Sequence, residues 1–162
     1  MSNEARETLW SVVDRLRDRV GDGPASDDRF YAELGSGLAE LDPTTRERVC
    51  REYVSAAEAA MTEDVWLAVV TMEGACSADW LESFVYWLVS RGSERYREVC
   101  TNPDTLAEID ADMFWEELRQ LVVEGAGELD DPPTLPWLRR LTDSELREAR
   151  ERFPAIVRRS GK

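Results

Sequence analysis

The run Gly74-Ala75-Cys76-Ser77-Ala78-Asp79 places a thiol, a hydroxyl and a carboxylate where a glycine-broken loop enters a helix. A helix N-terminus favours negative charge, so a thiol held there can ionise near neutral pH and act as a nucleophile. Asp79, or Glu94 beyond the next glycine, would then serve as acid or base. The same residues have a plainer reading, in which Ser77 caps the helix, Asp79 complements its dipole and Cys76 is a small buried hydrophobe. The chain holds no histidine. That removes the usual general base, the commonest metal ligand and every histidine-dependent triad. Chemistry therefore falls to carboxylates, thiols, tyrosine, serine or arginine.

Aromatic residues surround this loop. Trp66 precedes it, while Trp80, Phe84 and Trp87 follow at the spacing of one helical face. Glu94 and Tyr96 come after the break at Gly92. Trp66, Cys76, Ser77, Asp79, Trp80, Trp87 and Tyr96 thus form a candidate ligand-binding set at one end of a helical bundle. The competing reading of such a stripe is ordinary core, with each buried indole N–H needing an acceptor. Asp104, Asp110, Asp112, Glu116, Glu117, Glu128, Asp130 and Asp131 offer oxygen ligands. They lack the ordered spacing of a calcium or magnesium loop, so no metal site is expected. Phosphate-loop, dinucleotide and EF-hand motifs are also missing, and no cofactor is expected.

The elements that must position these groups read as helices. Leu9, Val12, Val13, Leu16 and Val20 share one stripe, with Ser2 or Asn3 available as N-cap and Gly21 as the stop. A second helix carries Phe30, Leu34, Leu38 and Leu41, and a third starts at Pro43 and runs to about Met61. The run from Val65 to Val70 is too short for periodicity to separate strand from helix; helix is the favoured reading. The helix opened by Ser77 is apolar around more than half its circumference and should sit centrally in the core. A short helix follows from Ser93 to Cys100, Pro103 restarts the chain into a segment with Leu106 and Ile109, and Phe114, Leu118, Leu121 and Val122 mark a further helix. Residues 125–136 hold two glycines and three prolines among acidic residues and read as a loop, the segment expected to be most mobile. Thr142-Asp143-Ser144-Glu145 has the spacing of a capping box, so a last helix should run from there to about Phe153, before Pro154. The expected fold is an all-α, single-domain orthogonal bundle of seven or eight helices spanning residues 1–162.

Composition limits the partners. A length of 162 residues with 43% hydrophobic content suffices for one core. The net charge of −14 disfavours nucleic acid, whose binding depends on cations displacing phosphate counterions. Charge is also unevenly placed, with ten acids against one arginine over 102–135 and eight cations against four acids over 136–162. Lys162 is the sole lysine, which points to a GC-rich, actinobacterial type of genome. Cys50, Cys76 and Cys100 are odd in number and widely spaced, as suits free thiols in the cytoplasm. No apolar run reaches membrane-spanning length, so no membrane association is expected. The residues fix no oligomeric state.

From Trp66 through Gly74, Cys76, Ser77 and Asp79 to Phe84, Trp87, Leu88, Gly92, Glu94, Tyr96, Pro103, Asp104 and Leu106, the chain resembles a bacterial family of unknown function. That family is common in actinomycetes and carries a Trp-rich segment, a Gly-Gly-Cys-Ser-Asp-Asp-like loop and an aromatic helix. The opening Trp10 to Arg17 and the closing Arg152-Phe153-Pro154 are similar as well. The sequence departs from that pattern where its second glycine becomes Ala75, its first aspartate Ala78 and an Arg-Gly pair Val85-Tyr86, with polar capacity lost overall. The resemblance implies a shared fold and no particular activity.

Three functional readings follow. The first is a helical protein that binds a small molecule or a protein partner through the aromatic Cys76 end. The second is a histidine-free enzyme using Cys76, Asp79 or Glu94. The third is an acidic adaptor that docks on a basic partner through residues 104–131, in contacts that salt would weaken.

Overall fold

Apolar residues at three- and four-residue spacing wind the chain into amphipathic helices, and the hidden stripes of those helices meet in one core. The computed structural model describes residues 7–23, 26–110 and 116–161. The described residues form nine α-helices: α1 Leu9–Val20, α2 Asp27–Glu40, α3 Pro43–Ala60, α4 Glu63–Glu73, α5 Ala78–Ser90, α6 Ser93–Thr101, α7 Glu116–Ala126, α8 Asp143–Arg152 and α9 Pro154–Ser160. A 3₁₀ helix, Pro103–Glu108, links α6 to the segment before α7. The all-α class is as expected, with more helices than the seven or eight read from the sequence.

The differences have local causes. α1 is capped by Thr8, whose hydroxyl accepts from Ser11 N while Ser11 Oγ accepts from Thr8 N. Ser2 and Asn3 lie outside the described residues, as do Asp112 and Phe114. The Val65–Val70 run lies within α4, capped by the Thr62 hydroxyl on Val65 N. Gly125 belongs to α7 rather than to a loop, and its missing side chain lets α7 approach α3, since an added Cβ would stand 2.5 Å from Cys50 Sγ. Pro154 starts a helix rather than following the last one, its fixed φ and missing N–H suiting the first turn of α9. The cap of α9 comes from far away in sequence: Asp104 accepts from Ala155 N at 3.1 Å and Ile156 N at 3.0 Å. One carboxylate of the acidic stretch thus ties the C-terminal helices to the 3₁₀ helix.

α5 occupies the centre. Leu81 and every residue from Phe84 to Ser90 are buried. α3 packs along α5 and α7, α1 against α2, and α4 against α8, α9 and the 3₁₀ helix. Tyr53 of α3 donates its hydroxyl to Tyr86 O at 2.8 Å, which satisfies both polar groups in the interior. No described helix is long and apolar enough to cross a membrane.

Candidate functional site

The turn between α4 and α5 brings Trp66, Cys76 and Ser77 together. Gly74 ends α4 in the left-handed region, at φ 92°, and its N–H donates to Val70 O at 2.7 Å. This conformation suits glycine and reverses the chain within a few residues. Trp66 Nε1 then donates across the turn to Cys76 O at 3.2 Å, fixing the loop on the indole. Ser77 caps α5, its Oγ accepting from Trp80 N at 3.2 Å.

The opposite wall comes from the segment entering α8. Trp137 lies against Trp66, with ring centroids 5.5 Å apart. Leu138, Leu141 and Leu146 face Trp66, Val70 and the Gly74–Ser77 loop across a cleft of about 620 Å³. That volume is in the range of sites for drug-sized molecules, which are mostly apolar with a few placed polar groups. The polar groups here are Ser77, Arg139, Arg140 and Asp143. Arg139 is held by both carboxylate oxygens of Glu145, which also accepts from Thr142 N. Arg140 is exposed and forms no ion pair with any described residue.

The Cys76 thiol forms part of the cleft wall, and its pKa is raised. Desolvation, and secondarily the Glu73 carboxylate, push its pKa up to about 12. The helix N-terminus does not prevail, because Sγ is half-buried in the cleft wall and its nearby polar contact is Ser77 O at 3.5 Å. A thiol in that state is protonated at neutral pH and adds soft, polarisable surface.

The other candidates stand elsewhere. Asp79 is exposed and Trp80 half-buried in the first turn of α5, and neither lines this cleft. Tyr96 donates its hydroxyl to Ala56 O at 2.7 Å and packs its ring on Trp10 at 5.0 Å. Glu94 lines a separate acidic groove between α1 and α6, with Asp14, Asp18, Asp22, Arg91 and Arg95. There Asp14 fills the role of α6 cap, accepting from Ser93 N at 2.7 Å and Ser93 Oγ at 2.6 Å.

Trp87 is 1% exposed and belongs to an ion cluster that sequence reasoning misses. Its Nε1 donates to Asp27 Oδ2 at 3.3 Å. Asp27 Oδ1 accepts from Arg17 Nη2 at 2.9 Å and from Arg91 Nη1 at 2.8 Å. All three charged residues are at most 7% exposed. Arg17 Nε also donates to Ser90 O, and Arg91 Nη2 to Asp22 O. The Arg17 guanidinium has its pKa lowered, first by desolvation and then by Arg91, with Asp27 opposing both. The available signal is Arg17 itself, which falls on the buried stripe of α1 four residues after Val13. An arginine in that register must have a buried partner.

Among the described residues no three histidine, cysteine, aspartate or glutamate side chains are grouped to hold a metal ion. The molecule is an all-helical protein with a buried ion cluster where the end of α1, the start of α2 and the end of α5 meet, and a separate cleft beside α4. The chain belongs to the DUF4240 family of proteins of unknown function, whose model matches residues 5–126. No curated protein and no solved structure matches it. The match includes the Trp66 and Gly74–Ser77 wall of the cleft and ends before the Leu138–Leu146 wall.

Proposed function

We propose that this protein binds a small, largely apolar molecule non-covalently in the cleft between α4, the Gly74–Ser77 loop and the entry to α8. The observation that carries this reading is the cleft itself: about 620 Å³, with Trp66, Val70, Leu138, Leu141 and Leu146 on its walls and a few polar groups among them. The raised Cys76 pKa favours binding over covalent catalysis, since a protonated thiol contributes contact surface and little nucleophilicity.

The test is native mass spectrometry of the protein after exposure to a bacterial extract, beside a denaturing spectrum. The expected result is a retained excess mass that disappears on denaturation. Leu141→Trp, which fills the cleft, should abolish the excess mass, whereas Glu94→Gln in the separate groove should retain it. An excess mass that survives Leu141→Trp in a folded variant would place the ligand elsewhere and overturn the reading.

A further inference from the structure

Resting on that reading of the cleft, we infer that its ligand is an amphipathic anion: an aromatic or aliphatic body carrying a carboxylate or a similar acidic head. The body follows from the apolar wall of Leu138, Leu141 and Leu146.

The head follows from charge. The charged residues of the cleft lining are Arg139, Arg140 and Asp143, with the Glu73 carboxylate close to Cys76. Arg139 is already held by Glu145 through two hydrogen bonds. Arg140 lines the same cleft, is exposed, and has no carboxylate partner among the described residues. Its planar fork is matched in shape to a carboxylate, which accepts two parallel N–H bonds. Asp143 is its counterpart on the cleft wall and would repel a second anion, so a single acidic group at the Arg140 side is the arrangement that fits. The Ser77 hydroxyl, whose oxygen already accepts from Trp80 N, keeps its own proton for an acceptor on the ligand.

Calorimetric titration with 2-naphthylacetate, 2-naphthylethanol and 2-naphthylethylamine tests this directly, because one ring carries an anionic, a neutral or a cationic head. The anion should bind about fivefold more tightly than the alcohol, the size expected of a partly exposed charge-assisted pair. The amine should bind most weakly. Arg140→Gln should bring the anion down to the affinity of the alcohol, with a much larger loss for the anion than for the alcohol. Raising the salt concentration to about 0.5 M should shrink the preference in the original protein, since screening acts at shorter range there. Equal binding of acid and alcohol, or tightest binding of the amine, overturns the inference while leaving the cleft reading intact. Failure of all three probes to bind overturns both.

Discussion

Replacing Asp27 by asparagine tests the interior of this fold severely. The carboxylate is 6% exposed and serves two buried guanidinium groups and one indole N–H. In Asp27→Asn the side-chain amide would keep an acceptor for part of this set but leave Arg17 and Arg91 without a buried anion. Breaking a buried pair by removing one partner costs about 3–5 kcal/mol. The lower figure applies here, because Asp22, with its side chain 65% exposed, still pairs with Arg91. A loss of about 3 kcal/mol is a fall of roughly 6–12 °C in Tm for a chain of this length. Urea denaturation followed by far-ultraviolet circular dichroism measures it, with the slope checked for constancy. The double variant Asp27→Asn with Arg91→Met should lose less than the sum of the single changes, since the second substitution removes a cation that needs the carboxylate. A loss below about 1 kcal/mol, or strict additivity in the double variant, would refute the claim that this cluster is held by Asp27.

Other expectations concern packing, thiols and pH. Gly125→Ala should destabilise the protein by about 1–3 kcal/mol, because its Cβ would meet Cys50 Sγ at 2.5 Å. Cys50→Ala should recover most of that loss in the double variant; equal stability of Gly125→Ala and the original chain in thermal denaturation would contradict the close approach. With Ellman's reagent at neutral pH, exposed Cys100 should react first, Cys76 slowly and buried Cys50 only on unfolding. A Cys76 that outpaces Cys100 would revive the nucleophile reading. The Arg139 hydrogen bond, with help from Thr142, lowers the Glu145 pKa from 4.5 to about 2. A carboxylate depressed in the folded state contributes stability above its ordinary pKa, and that contribution is lost as pH falls from about 4.5 towards 2. Carbon-detected NMR titration should show this low midpoint for Glu145, and Arg139→Gln should move it back up; an unmoved midpoint would assign the shift elsewhere.

Much of the fold is legible in the sequence because capping and periodicity are local. Ser77, Thr142 and the stripe of α1 are readable within a turn or two of their own positions. Trp66, Cys76 and Ser77 can be grouped for the same reason, since one short turn separates α4 from α5. The far wall of the cleft is not readable: Leu138, Leu141 and Leu146 reach Trp66 only through the packing of α8 on α4. Trp87 and Tyr96 group with the site in sequence because a helical stripe does not reveal whether it faces core or cavity. Their hydrogen bonds to Asp27 and Ala56 O decide that, and both cross long sequence distances. Pro154 reads as a stop, although its geometry serves equally well as a start once Asp104 supplies the cap. The helix terminus is legible at Cys76 but the burial of its thiol is not, and desolvation raises the pKa that the terminus alone would lower.

Nitrogen–proton NMR during titration with 2-naphthylacetate would locate the bound ligand on the fold. Binding in the Trp66 cleft should give shifts confined to the Trp66 indole N–H, residues 74–77 and residues 138–146, with the Tyr96 and Glu94 regions unmoved. Shifts centred on the α1–α6 groove, or scattered over the surface without saturation, would contradict it.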